Sequence, residues 1–186
     1  MKLYIKNMVC DRCKMVVKAE LEKLGQIATK VELGEVELQQ KPSQEELIAI
    51  ETALKNVGFS LIGDRKSQLV EKIKTLIIEL IQTPNNHPKV NLSNYLTQHL
   101  HHDYSFLSNL FSSIEGVTIE HYFIAQRIEK VKELLVYDEL TLSEIANELN
   151  YSSVAHLSGQ FKKVTGLPPT HFRNIRWQKR KPLDQV

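Results

Sequence analysis

Two cysteines, Cys10 and Cys13, stand three positions apart near the start of the chain, and its 186 residues contain no other. Two thiolates at this spacing can ligate one soft metal ion, for which Cu(I) is the best match. A closed tetrahedral zinc site needs four ligands, so Zn(II) would require donors from elsewhere. A redox-active dithiol is the other chemistry that the motif allows, although it normally occurs in a longer βαβ unit. The pair predicts a metal site, with a redox role as the alternative.

The elements that hold the cysteines follow from the spacing of apolar residues over residues 1–63. KLYIK alternates as a strand does, and TKVELGEVELQ contains two such runs with Gly34 between them as a hairpin turn. FSLIG is predicted to be a short fourth strand. Two helices lie between these strands, the second capped by Ser43. Their apolar faces are predicted to contain Val16, Val17, Ala19, Leu21 and Leu24 in the first, and Leu47, Ile50, Ala53, Leu54 and Val57 in the second.

The resulting element order, βαββαβ, predicts a ferredoxin-like sandwich for residues 1–63. Cys10 then lies in the loop after the first strand, and Cys13 lies at the start of the first helix. A helix N-terminus stabilises negative charge, so thiolates form more easily there.

Residues 1–63 resemble the heavy-metal-associated domain of copper chaperones and metal-transporting ATPases. That family carries G-M-x-C-x-x-C after its first strand, where this chain has NMVCDRC, and IETALKNVGF resembles its second helix and following Gly-aromatic pair. The resemblance implies that Cys10 and Cys13 ligate a metal, while Met8 is buried and anchors the loop. Asn7 replaces the family's glycine, and asparagine tolerates left-handed backbone angles better than most residues. A fold kept for protein contacts is the alternative.

The second half of the chain has a different pattern, in which TLSEIANELNYSSVAHLSGQFKKVTGLPPTHFR is typical of a helix-turn-helix. Asn150 is predicted to form the turn, Ser152 to cap the next helix, and Leu157 and Phe161 to face inward. A second copy precedes it, in NLSNYLTQHL and in a helix capped by Asp103. A long helix over about 118–136 joins the two copies, so we expect an all-α C-terminal domain with two helix-turn-helix motifs.

Residues 90–176 resemble the DNA-binding domain of AraC/XylS-type transcription regulators. Tyr122, Arg127, Ile145-Ala146, Gly166 and Pro169 fall on the marks of that family. The resemblance implies two recognition helices. The first would present Ser105, Ser108, Asn109 and Ser112, and the second would present Ala155, His156, Gly159 and Gln160.

Many relatives have arginine where this chain has Asn109 and Gly159, so direct recognition of guanine should be weaker. Asn109 is expected to recognise adenine, and His156 or Gln160 is expected to add one more base contact. The phosphate contacts are assigned to Lys162, Lys163 and Arg173. From Phe161 to Lys181 the chain carries seven basic residues and no acidic one, which favours a polyanionic partner.

We therefore expect three segments: a heavy-metal-associated-like domain at 1–63, a helix and linker at 64–89, and a DNA-binding domain at 90–186. No Ser-His-Asp set, phosphate loop or paired-acid constellation is evident, so an enzyme is not expected. The expected partners are double-stranded DNA, RNA polymerase and a second copy of the chain, in the cytoplasm and without a membrane span. The expected function is a sequence-specific DNA-binding transcription regulator of AraC type that responds to a soft metal ion such as Cu(I) through Cys10 and Cys13. The alternatives are a metal-handling or interaction module whose helical half docks a protein, and a regulator whose N-terminal domain only dimerises.

Overall fold

The computed structural model describes residues 1–82, 91–137 and 139–179. Its elements are β1 (Lys2–Lys6), α1 (Asp11–Lys23), β2 (Ala28–Glu32), β3 (Glu35–Leu38), α2 (Gln44–Asn56), β4 (Ser60–Leu61), α3 (Arg65–Gln82), α4 (Leu92–Leu100), α5 (Tyr104–Glu115), α6 (Ile119–Tyr137), α7 (Leu142–Glu148), α8 (Val154–Thr165) and α9 (Pro169–Lys179). The predicted linker TPNNHPK lies outside the described residues, as do the side chains of the last four basic residues, Arg176, Lys179, Arg180 and Lys181. None of the helices in the described ranges is long and apolar enough to cross a membrane.

The four strands form one antiparallel sheet in the order β2-β3-β1-β4, and the predicted element order βαββαβ is confirmed. Leu3 of β1 pairs with Val36 of β3, and both side chains are buried. The β2–β3 hairpin turns at Gly34, whose φ of +74° favours glycine. A Cβ atom there would also lie 3.1 Å from Oγ1 of Thr75 on α3, so the turn packs closely against that helix.

The buried faces of α1 and α2 are narrower than the sequence predicted. Val17 and Leu21 are fully buried in α1, and Ile50 and Leu54 are fully buried in α2. In contrast, Val16, Leu24 and Val57 remain 40%, 38% and 37% exposed, and Ala19 is also exposed. A helix lying on one sheet face buries chiefly a row of residues four apart, so the neighbouring positions on its flanks face water.

The described residues fall into two compact units. The first comprises Met1–Ile78 together with Leu96–Gly116, and the second comprises Glu79–Tyr95 with the described residues from Val117 onward. The first unit thus contains the sheet, most of α3 and the whole of α5. The segment boundaries expected from the sequence stay predictions.

The core of the first unit packs the buried sides of α1 and α2 against the sheet. Its buried cluster contains Leu3, Ile5, Met8, Val17, Leu21, Leu33, Val36, Leu38, Ile50, Leu54, Phe59 and Ile78. Within the same unit, α5 buries Leu107, Leu110 and Phe111 and ends at Gly116, whose φ is +72°. Asp103 occupies the N-cap position of α5, but its side chain makes no capping hydrogen bond, which corrects the predicted cap.

The second unit contains the more regular helix-turn-helix. A capping box starts α7, in which the Thr141 hydroxyl accepts from the Glu144 N–H and the Glu144 carboxylate accepts from the Thr141 N–H. Asn150 forms the turn with a φ of +55°, and Leu157 and Phe161 are fully buried, as predicted. The predicted cap of α8 was wrong by one residue: Ser153, not Ser152, accepts the hydrogen bond from the His156 N–H.

Candidate functional site

Cys10 and Cys13 lie at the N-terminal end of α1 with their sulfur atoms 3.3 Å apart. Cys10 is the N-cap residue and Cys13 lies in the first turn, where its N–H donates to the Cys10 carbonyl at 2.9 Å. Both side chains are half-buried. The hydrogen bond from the Cys13 side chain, together with the Cys13 backbone N–H, lowers the pKa of the Cys10 thiol. The loop therefore favours the thiolate that metal binding requires.

The loop before the cysteines is fixed by contacts that are distant in sequence. Met8 is almost fully buried in the core, as its resemblance to the family's loop anchor implied. Asn7 has a φ of +76°, which confirms that it takes a left-handed conformation. Its side-chain amide donates to the Gly58 carbonyl and its backbone N–H donates to Oε1 of Glu71, both at 3.1 Å.

At this site the described side chains offer a pair of thiols and no larger cluster of metal-ligating groups. Among the residues that the structure describes, no group of three or more His, Cys, Asp or Glu side chains could hold a metal ion. Two sulfur ligands fit a soft ion with low coordination number better than a tetrahedral zinc ion.

A buried charged group that the sequence analysis missed lies directly behind this loop. Glu71 of α3 is only 7% exposed, and burial raises the pKa of its carboxyl group. Its second oxygen lies 3.9 Å from Nζ of Lys74, which in turn forms a 2.7 Å ion pair with Glu115. Glu115 is the last residue of α5. The sequence feature that could have indicated the burial of Glu71 is its spacing, because it lies seven positions before the buried Ile78 and therefore on the same face of α3.

The side chains that were assigned to DNA on α5 differ in exposure. Ser105 and Asn109 are exposed, whereas Ser108 and Ser112 are half-buried. Phe106, which the sequence analysis did not single out, is 48% exposed on the same helix. The exposed positions are therefore available to a partner.

The second recognition helix, α8, exposes most of its assigned residues. His156, Lys162 and Lys163 are exposed, as are Ala155 and Gly159. Gln160 is half-buried, and its Oε1 accepts a hydrogen bond from the Tyr151 hydroxyl at 2.8 Å. The His156 ring is also held, since its Nδ1 lies 3.0 Å from the Ser152 hydroxyl.

Two residues behind α8 were not predicted to support it. Tyr151 is buried, and the Arg127 guanidinium carbon lies 3.8 Å from the centre of its ring. Arg127 also donates to the Leu149 carbonyl at the end of α7. Burial lowers the pKa of Arg127 from its ordinary value, but the group stays a cation because that value is so high. Arg127 had been identified only as a residue typical of the family.

Arg173 lies on α9, where its guanidinium donates to the Leu140 carbonyl at 2.9 Å. This bond joins α9 to the segment that precedes α7. The phosphate contact assigned to Arg173 stays a prediction, and this residue is half-buried.

The comparisons with known proteins concern the helical half of the chain. The family model of a helix-turn-helix domain matches residues 96–175. The C-terminal domain of AraT, a response regulator from Geobacillus stearothermophilus, matches 61% of this chain and 89% of its own with 25% identity and a TM-score of 0.52. Residues 96–175 form a helix-turn-helix domain.

Two further relatives agree with this assignment. This chain is 31% identical over 105 residues to an uncharacterized HTH-type transcriptional regulator of Staphylococcus aureus (strain MSSA476), and the match covers 49% of this chain and 14% of that protein. The DNA-binding domain of AdpA, solved in complex with a target DNA, shares the fold at 19% identity with a TM-score of 0.50, covering 63% of this chain and 97% of that one. The relatives are transcriptional regulators and not enzymes, as the sequence analysis expected. This chain spans about one seventh of the length of the staphylococcal relative.

Proposed function

We propose that the chain is a transcription regulator that binds double-stranded DNA through its AraC-type domain, with α5 and α8 as the recognition helices. The observation that carries this proposal is that α8 has one buried apolar side and one exposed polar side. Leu157 and Phe161 anchor its inner side in the core, while His156, Lys162 and Lys163 stand exposed on it. A helix held in this way can enter a major groove. The related AdpA domain was solved on its target DNA, which supports the same partner here.

Replacing Lys162 with alanine is expected to weaken binding to every duplex and to lower the slope of log K against log salt by about 1, because one phosphate contact is lost. The measurement is fluorescence anisotropy with a labelled duplex at several salt concentrations. Lys55→Ala provides the control, since Lys55 is an exposed lysine of α2 that pairs with Glu51. An altered base preference with an unchanged salt slope would contradict the phosphate role.

For residues 1–63, we propose a ferredoxin-like domain of the heavy-metal-associated kind that holds a soft metal ion on Cys10 and Cys13. The sheet order β2-β3-β1-β4, the two helices and the buried Met8 support this fold assignment. The two half-buried thiols, 3.3 Å apart, fit such an ion. When bound, Cu(I) would supply a covalent link between the loop and the first turn of α1.

The proposed coupling between the thiols and the DNA-binding residues follows the buried charges of the first unit. Asn7 lies three residues before Cys10, and its N–H is bound by Glu71. Glu71 shares Lys74 with Glu115, at the C-terminal end of the recognition helix α5. A helix C-terminus disfavours negative charge, so the position of Lys74 affects how α5 ends. A shift of the loop would therefore change the charge balance at α5.

This coupling must be reciprocal: if the metal tightens DNA binding, DNA tightens metal binding by the same factor. We propose a cytoplasmic location, with RNA polymerase and a second copy of the chain as further partners. Serine variants of Cys10 and Cys13 test the metal site and its coupling to DNA binding.

A further inference from the structure

Gln160 reaches the exposed side of α8 with half of its amide group already bound. The Tyr151 hydroxyl donates to Oε1 at 2.8 Å, and Tyr151 is buried with 7% of its surface exposed. A glutamine amide offers one acceptor oxygen and a nitrogen with two donor hydrogens. Oε1 has two lone pairs, and the Tyr151 hydroxyl takes one and holds the oxygen turned toward Tyr151. Gln160 therefore presents mainly Nε2 to a base.

Arg127 favours this direction of the hydrogen bond. Its guanidinium carbon lies 3.8 Å from the centre of the Tyr151 ring, and the same group is fixed by the Leu149 carbonyl. A cation over the ring stabilises negative charge on the phenol oxygen, so the hydroxyl becomes a better donor. The pKa of Tyr151 reflects the same balance, since burial raises it and the charge of Arg127 acts to lower it. An amide oxygen is the natural acceptor for such a donor, so Oε1 stays turned toward Tyr151.

His156 contacts Tyr151 from the first turn of α8 and helps to hold its ring in place. It lies four residues before Gln160, so both side chains share one face of α8. Its ring packs edge-on against Tyr151 with the ring centres 5.5 Å apart, and its Nδ1 lies 3.0 Å from the Ser152 hydroxyl. Tyr151 thus contacts both side chains that were assigned to base recognition on this helix.

We propose that Tyr151 is a specificity-determining residue that acts through Gln160 and makes α8 select guanine over adenine at the base that Gln160 faces. In the major groove, guanine presents two acceptors, N7 and O6, whereas adenine presents the acceptor N7 and the donor N6. The donor Nε2 matches guanine. Bidentate recognition of adenine also needs Oε1, which Tyr151 holds. This inference rests on the proposed DNA binding and names the base that the site prefers.

The test compares the wild-type chain and its Tyr151→Phe variant by selecting and sequencing bound duplexes from a randomised pool. For wild type we expect a guanine-over-adenine preference of about 10-fold at one base pair, within the range of a good base contact. Tyr151→Phe frees Oε1 and should reduce that preference by about 10-fold, with a salt slope equal to that of wild type. Tyr137→Phe is the matched control, because Tyr137 of α6 is 66% exposed, and it should keep the wild-type preference.

Two variants at Gln160 distinguish whether Tyr151 positions Gln160 or only stabilises the fold. Gln160→Ala should abolish the preference, and adding Tyr151→Phe to it should then change nothing further. Gln160→Glu still accepts from Tyr151 but presents an oxygen, so it should shift the preference toward cytosine, which offers a donor at N4. This variant also tests the proposal if Tyr151→Phe fails to fold.

Three results would overturn the inference. The first is that wild type prefers adenine at the base pair whose preference changes with Gln160. The second is that Tyr151→Phe loses affinity for all sequences equally and keeps its base preference, and the third is that Gln160→Glu keeps the guanine preference. Failure of wild type to retain any duplex would overturn the proposed DNA binding as well, so the two failures are distinguishable.

Discussion

The double variant Cys10→Ser/Cys13→Ser is expected to lose all response of DNA affinity to Cu(I), while its affinity without metal equals that of wild type. Allosteric couplings are typically about 1–3 kcal/mol, so wild type should change its affinity by about 5- to 150-fold on saturation with Cu(I). The serine hydroxyls do not replace soft thiolate ligands. The measurement is a duplex titration at fixed salt, with and without Cu(I), alongside metal analysis of both proteins.

Two further variants make the cysteine experiment specific. Met15→Ser removes a thioether that is 70% exposed on α1, and it should keep the full response because Met15 lies outside the proposed site. Glu115→Gln should bind the metal as wild type does but respond less, because it weakens the ion pair with Lys74. Equal responses in wild type and the double cysteine variant would refute metal sensing and leave DNA binding untouched.

Arg127→Ala is expected to lower the free energy of unfolding by about 2–4 kcal/mol and to abolish selective DNA binding. The Leu149 carbonyl would lose its donor, and the buried Tyr151 ring would lose the cation that lies over it. Both losses fall on the turn between α7 and α8, so the orientation of α8 should suffer with the stability. Urea unfolding followed by circular dichroism gives the stability change, and duplex titration gives the binding.

Lys132→Ala is the matched control for this variant, since Lys132 is a basic residue on the same helix that pairs with Glu129 near the surface. Such a pair contributes about 0–1 kcal/mol, so this change should be nearly neutral. If Arg127→Ala were as stable as Lys132→Ala, the supporting role of Arg127 would be wrong.

The local features of the fold followed from the sequence because they depend on near neighbours. Gly34 at the hairpin turn, Asn150 in the helix-turn-helix and the long helix α6 all lie where pattern and turn chemistry placed them. The cap of α8 was misplaced because Ser152 and Ser153 are both good capping residues, and the backbone geometry selects between them. The Ser152 hydroxyl contacts His156 instead.

Contacts between residues far apart in sequence could not be predicted in this way. The Asn7–Glu71 hydrogen bond joins residues 64 positions apart, and Glu71 in isolation resembles an ordinary helix-surface glutamate. Likewise, the sequence pattern alone indicates that Tyr151 is a buried residue. The hydrogen bond from its hydroxyl to Gln160 is evident only in the folded structure. Residue type indicated which side chains could contact DNA, but the orientation of each polar group depends on tertiary packing.

The most direct test is dimethyl sulfate footprinting of the wild-type chain on its best selected duplex, because the reagent reports guanine N7 in the major groove. Recognition through α5 and α8 predicts protection of guanines in two segments of the major groove. One of these segments should contain the guanine that depends on Gln160. Absence of any protection, or uniform protection that does not depend on sequence, would contradict the claim that this chain recognises DNA through α5 and α8.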